Sequence, residues 1–239
     1  AKNIIISGGT GSGKTTLLNV LGSRTPGKER LLIIEDSSEL KIKTDHVVFF
    51  ETKAADPMGK GEITIRDLIR SALRLRPDRI IVGEVRGPES LDLITAMNTG
   101  HGGSMGTTHA NTPYDALVRL ETLAMMGDTQ VPVAAIRRQI AAAIHLVVQI
   151  KRMNDGSRKV TNISEVIPDV DTNGKYVIRD IFRFVQRGMS ADGKIIGELI
   201  PTGYIPSFYG EIEVNRLPFP KEKFTPPGWF NERESGQAA

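Results

Sequence analysis

KNIIISGGTGSGKTTLLNVL, residues 2–21, falls into three parts. Lys2 to Ser7 is a short apolar run of β-branched residues, which reads as a buried strand. Lys14 to Leu21 reads as a helix. Between them, Gly8–Thr15 (GGTGSGKT) satisfies G-x-x-x-x-G-K-[ST] in full and stands where that motif requires, after a strand and before a helix. The physics follows from the residue types. Glycines let backbone N–H groups converge on phosphate oxygens, and the helix N-terminus adds the positive end of its dipole. Gly8, Gly9, Thr10, Gly11, Ser12, Gly13, Lys14, Thr15 and Thr16 are therefore the expected nucleotide-binding residues. Lys14 reaches the β- and γ-phosphates, and the Thr15 hydroxyl is placed to ligate Mg²⁺. ATP and Mg²⁺ are the expected cofactors.

Outward from this loop, further strands are expected at Leu31–Ile34 and Arg79–Val82, with another at Ser104–His109. Ile65 to Leu75 shows an apolar helical stripe opposite Arg66, Arg70 and Arg74, and Pro77 ends it. Pro88 opens a helix, Thr112-Pro113 gives a cap followed by a first-turn proline, and Val133–Ile144 reads as another helix. Asp45 to Glu62 reads as a loop. Beyond residue 144 the pattern changes: Asp155-Gly156, Asn173-Gly174 and Asp192-Gly193 each sit between β-rich segments, the signature of hairpins. The expected organisation is an α/β P-loop NTPase core of RecA-like, ASCE type over residues 1–144. A small β-rich extension follows over 145–210, then a Pro- and charge-rich tail over 211–239, largely irregular from Leu217 onward.

The chain has 239 residues, 25% of them charged, and a net charge of +3. That excess permits an acidic partner without requiring one. With no cysteine there are no disulfides and no thiolate metal site. No run approaches the ~20 apolar residues of a membrane span, and no signal-peptide pattern precedes the first strand, so a cytoplasmic protein is expected.

Two strands run into acids: Leu31–Ile34 into Glu35-Asp36, and Arg79–Val82 into Gly83-Glu84. Ligands of open α/β sheets lie beyond the carboxyl ends of strands, so both acids are expected near the loop. Glu84 would hold Mg²⁺ through its waters, and Glu35 would orient or deprotonate the attacking water. The plainer alternative is that such acids cap the next element or pair with Arg86; Asp36 and Glu39 are weaker candidates. No N-K-x-D guanine signature is present.

NTGHGGSMGTTHAN, residues 98–111, holds two of the four histidines among four glycines. A metal site needs three or more ligands, and neither His46 nor His145 has ligand-like spacing to this pair. A γ-phosphate sensor needs a short polar side chain at a strand end facing the loop. His109 fits that, while His101 lies earlier, where it would face a neighbouring subunit. The Arg66, Arg70 and Arg74 face reads as solvated, with a trans-acting finger as the alternative; Arg86 is the other candidate for that role.

Four stretches together carry a resemblance: GGTGSGKT (8–15), IIEDSSEL (33–40), RPDRIIVGEVRGPES (76–90) and AMNTGHGGSMGTTHAN (96–111). They resemble the Walker A, Asp box, atypical Walker B and His box of the type II/IV secretion ATPase superfamily, in order and spacing. The His-box stretch with RLETL (119–123), extended by residues 136–166, is most similar to CpaF/TadA-type pilus-assembly ATPases, near the VirB11 branch. The likeness covers residues 1 to about 210.

The resemblance implies a hexameric ring of identical subunits peripheral to the inner membrane, docked on membrane platform proteins and powering pilus assembly or secretion. No nucleic-acid partner is expected. By position it makes Glu35 the catalytic glutamate, Glu84 the Walker B glutamate and His109 part of the His box. It also implies a domain preceding the P-loop strand, which closes over the nucleotide and supplies arginines, so the chain reads as part of a longer protein. Two rivals stand beside this reading. A RecA-like nucleic-acid motor suits the arginine content, but with 5% aromatics no base-stacking array is visible. A nucleotide-gated binding module with negligible turnover is opposed by Glu35 and Glu84.

Overall fold

The computed structural model describes residues 1–127 and 130–230. Its centre is one nine-stranded sheet. The strands are β1 (Ile4–Ser7), β2 (Leu31–Glu35), β3 (Val47–Glu51), β4 (Arg79–Val82), β5 (Met105–Thr108), β6 (Leu146–Arg152), β7 (Arg158–Val170), β8 (Tyr176–Met189) and β9 (Ile195–Pro201). They lie in the order β3-β2-β4-β5-β1-β6-β7-β8-β9. The first six are mutually parallel and the last four form an antiparallel meander, β6 belonging to both sets. The three hairpin turns fall at the Asp-Gly and Asn-Gly pairs, with Gly156, Gly174 and Gly193 at φ of 80°, 73° and 76°.

Helices cover both faces of the parallel half, which is why β2 and β4 are apolar on both sides. On one face lies α1 (Lys14–Gly22), whose Leu18 meets Ile6, Ile33 and Ile81 together with Leu40 and Ile42. On the other lie α2 (Ile65–Ala72), α3 (Glu89–Asn98), α4 (Pro113–Met125) and α5 (Val133–Ala143), which form the larger core. Thr64 and Asp67 start α2 with a reciprocal capping box, and the Thr112 hydroxyl caps α4 by accepting from the Asp115 N–H. Arg137 on α5 and Tyr176 on β8 both donate to buried Glu121 on α4, which pins the meander to the helical layer.

Two expectations need correction. Val47–Glu51 (VVFFE) lies inside the stretch read as a loop, yet it forms the parallel edge strand β3. Its Val48 and Phe50 pack on the core while Phe49 faces outward, the alternation of a half-buried strand. The arginine face of α2 is not simply solvated: Arg66 and Arg70 each donate to Asp92 of α3, at 2.8 and 2.9 Å. The described tail from Leu217 is irregular apart from one 3₁₀ turn, but it packs on the body of the chain. A short helix, α6 (Tyr209–Val214), and a 3₁₀ turn at Lys221–Phe224 bring Phe219 and Phe224 against Phe182 and Tyr209. Residues 231–239 of that tail lie outside the described residues.

Asn3, buried just before β1, holds the opposite edge of the sheet together. Its amide donates to Met97 O and Ala143 O, at 3.3 and 2.6 Å, and its side-chain oxygen accepts from Gly103 N and Ser104 N. The ends of α3 and α5 and the glycine-rich loop before β5 thus meet on one side chain. Removing it orphans four buried backbone groups, each costing about 1–3 kcal/mol in isolation. Asn3→Ala is expected to destabilise the chain by roughly 3 kcal/mol, read as a lower denaturant midpoint at unchanged slope.

Candidate active site

Because β1, β2, β4 and β5 are parallel, their carboxyl ends share one edge, and everything that follows them collects there. The loop after β1 turns through Gly11 (φ 68°) and Gly13 (φ 100°), conformations open to glycine but strained for other residues. It delivers buried Lys14 to the first turn of α1. The Lys14 ammonium donates to Gly8 O and Gly9 O, at 3.0 and 3.1 Å.

β5 stands between the Lys14 and Glu84 strands, so the residue that follows it, His109, lies between those two side chains. His109 Nε2 is 3.2 Å from Lys14 Nζ and 3.1 Å from Glu84 Oε1. One nitrogen thus faces a donor and an acceptor at once, and a neutral imidazole satisfies only one of them in either tautomer. Burial, then the adjacent Lys14 charge, holds the imidazole below the ordinary histidine range, against the pull of Glu84. Lys14 is likewise held low by burial, with Glu84 opposing.

Glu84 is pushed up by burial, but the Arg86 hydrogen bond and the charges of His109, Arg86 and Lys14 outweigh that and bring it below the ordinary range. Arg86 donates to Glu84 Oε2 at 2.7 Å and lies 3.5 Å from Asp36. The plainer role for a strand-end acid, pairing with Arg86, is therefore present at Glu84 together with the contact to His109. Glu35 ends β2 and is buried. Its Oε1 accepts from Glu39 N and Leu40 N, at 3.1 and 3.0 Å, so it caps the turn that follows. Burial nevertheless holds it above the ordinary glutamate range, those two N–H groups offsetting only part of the effect. Gly83 permits the approach of the two acids: a Cβ there would lie 3.0 Å from Glu35 Cγ.

Two adjoining clefts result. The larger, about 440 Å³, runs along Thr10, Gly13, Lys14 and Thr16 to His109 and Glu84. The smaller, about 110 Å³, lies among Thr15, Glu35, Asp36 and Glu84. Thr15 lines both. Ser12 Oγ, buried in the loop, has no hydrogen-bond partner among the described residues. Among those residues no cluster of three or more His, Cys, Asp or Glu is arranged to hold a metal by itself. A hydroxyl and carboxylates beside a phosphate cradle are the hard oxygen donors that suit Mg²⁺ shared with a nucleotide.

The structure does not bring His101 to this site. It precedes β5, at the edge where Asn3 lies, with Nδ1 3.2 Å from Ala96 O and its carbonyl accepting from Ser104 Oγ. β5 runs between His101 and His109, so the two histidines lie at opposite ends of that strand. Conversely, Arg158 was missed. It is the first residue of β7, and its Nε donates to Gly11 O at 2.9 Å. Nothing in its local pattern marks it, because the contact spans 147 residues.

Residues 1–181 match the type II/IV secretion system protein family. The chain belongs to that family. Within it, the chain is 39% identical over 196 residues to a Mycobacterium tuberculosis protein whose name assigns it to conjugal transfer, a match covering 82% of this chain and 54% of that protein. It is 38% identical over 165 residues to the type IV secretion system protein VirB11 of Bartonella quintana, covering 68% and 46%. Its fold resembles the crystal structure of the VirB11 ATPase from the Brucella suis type IV secretion system in complex with sulphate. The TM-score is 0.61 at 33% identity, over 68% of this chain and 47% of that one. The chain is thus a VirB11-related member with a P-loop ATPase fold, and it spans about half the length of the curated relatives it matches.

The loop's closest contact gives a test. A Cβ on Gly8 would lie 2.2 Å from the backbone oxygen of Ile150 on β6, which cannot yield, whereas one on Gly9 meets nothing within 4 Å. Gly8→Ala is expected to weaken nucleotide affinity at least tenfold, about 1.4 kcal/mol, and Gly9→Ala far less, as titration calorimetry would read.

Proposed function

We propose that this chain is the catalytic core of a Mg²⁺-dependent ATPase that powers pilus assembly or protein secretion. The observation that carries the proposal is the chain of contacts from Lys14 through His109 to Glu84, with buried Glu35 across the small cleft. Phosphates seated on the loop would take Lys14 away from the carbonyls of Gly8 and Gly9. Thr15, and Glu84 through water, would hold Mg²⁺, which when bound supplies neutralising charge to the β- and γ-oxygens.

Hydrolysis is an in-line displacement. A water oxygen bonds to the γ-phosphorus, the bond from that phosphorus to the β–γ bridging oxygen breaks, and ADP leaves with that electron pair. The water's proton passes to Glu35, whose raised pKa makes it a better base than an exposed glutamate. Lys14 stabilises the charge that develops on the transferred group. His109 sits where loss of the γ-phosphate would let it exchange Lys14 for Glu84, carrying the change of nucleotide into the loop before α4. A ring of six copies, docked on inner-membrane platform proteins at the cytoplasmic face, would turn that change into motion. Among the described residues no helix is long and apolar enough to cross a membrane.

Glu35→Gln is expected to lower phosphate release by about 10²–10⁴-fold while ATP still binds. In the unaltered chain, turnover should fall as pH drops through the raised pKa of Glu35, because protonation removes the base, and the variant's residual rate should lack that limb. Turnover left unchanged by both Glu35→Gln and Glu84→Gln would instead overturn the catalytic assignment and favour a nucleotide-gated binding module. DNA-stimulated, salt-dependent hydrolysis would mark a nucleic-acid motor.

A further inference from the structure

The β6–β7 hairpin reaches over the phosphate loop and carries four basic residues beside one acid, Asp155. Its antiparallel register sets Lys151 opposite Lys159 and Arg152 opposite Arg158. Like charges directly across a ladder repel. None of the four forms a salt bridge among the described residues. The hairpin is nevertheless firmly built. Asp155 Oδ1 accepts from Ser157 N and Oγ, and Asp155 Oδ2 accepts from Ile195 N at the start of β9. The turn is therefore tied both to itself and to the β8–β9 hairpin.

From this platform the Arg158 stem lies across the loop. Its Cδ is 3.1 Å from where a Cβ on Gly13 would stand, beside Ile150 Cδ1. Its Nε donates to Gly11 O, and its two terminal nitrogens have no hydrogen-bond partner among the described residues. Three side chains that are always or mostly cationic line the nucleotide cleft: Lys14, Arg86 and Arg158. Arg86 is bound to Glu84, and Lys14 lies beside the same cluster. Arg158, like Lys14, forms no salt bridge among the described residues, and unlike Lys14 it has two terminal nitrogens with no partner there.

Its position also says which part of a nucleotide it would meet. Lys14, His109 and Glu84 mark the γ end. In a loop of this kind the backbone cradles the α- and β-phosphates while the lysine reaches β and γ. Arg158 flanks Gly11 and Gly13, on the side away from that cluster.

We propose that Arg158 is a nucleotide-binding residue that contacts the α-phosphate and sugar end of the bound nucleotide and so joins the β-meander to nucleotide occupancy. This rests on the nucleotide-binding reading of the loop. Guanidinium suits the task because one N–H is spent on Gly11 O, fixing the plane, while the others stay free for anionic oxygen.

The test is equilibrium binding of ATP and of ADP to the chain, to Arg158→Ala and to Arg158→Lys, with the unfolding midpoint of each protein measured without nucleotide. The expected result is a roughly tenfold weaker Kd for both nucleotides in Arg158→Ala, as for loss of a charge-assisted hydrogen bond. The ATP-to-ADP ratio and the unfolding midpoint should stay unchanged, and Arg158→Lys should lose less. Unchanged Kd values in Arg158→Ala would overturn the proposal. Weakening confined to ATP would also overturn it, by placing the contact at the γ-phosphate. A lowered unfolding midpoint, with Arg158→Lys as impaired as Arg158→Ala, would overturn it in favour of simple loop support. Failure of the unaltered chain to bind either nucleotide would remove the nucleotide-binding reading itself, and the proposal with it.

Discussion

Ser7, the last residue of β1, stands opposite Thr108 of β5 on one side and Gln149 of β6 on the other, all running the same way. That parallel register is the constraint on which the site depends. A parallel sheet sends every chain back through a crossover, so the residues after each strand gather at one edge. The phosphate loop, Glu35, Glu84 and His109 are thus brought together from four distant parts of the sequence. Slipping β5 by one residue would turn each of its side chains to the other face and break the line from Lys14 to Glu84.

Electrostatics then divides the site. Glu35 and Glu84 are both carboxylates at strand ends, yet their surroundings drive them apart. Burial with only two backbone donors raises Glu35, whereas Arg86, His109 and Lys14 outweigh burial at Glu84. Such divergence is what the proposed division of roles needs, with Glu35 as proton acceptor and Glu84 as the charged partner. His109 sits on the boundary, low in pKa and facing both signs of charge, which suits a group that changes partner when phosphate charge arrives or leaves.

Much of this was legible in the sequence because it is local. The loop motif, the strand β4, the Thr112 cap and the three Asp-Gly or Asn-Gly turns each declare themselves within a few residues. The family likeness rested on four such stretches, and the match over residues 1–181 agrees with it. What stayed hidden is non-local. Asn3 looks like an ordinary polar residue until the ends of two helices and a loop converge on it. Arg66 and Arg70 look solvated until α3 brings Asp92 alongside. Edge strand β3 has a mixed pattern, since Val48 and Phe50 pack on the larger core while on the other face only Val47 packs and Phe49 is exposed. Arg158 gains its meaning only when the β6–β7 hairpin brings it against the loop after β1. The sequence places His109 at a strand end and His101 before it, and the direction of β5 then sets them at opposite ends of that strand.

The central claim is that Lys14 and its loop form a nucleotide site. Titration of the chain and of Lys14→Ala with ATP, with and without Mg²⁺, tests it most directly. The account predicts saturable binding of one nucleotide per chain, strengthened by Mg²⁺ and lost in Lys14→Ala. Equal binding by both proteins, or none by either, would contradict it.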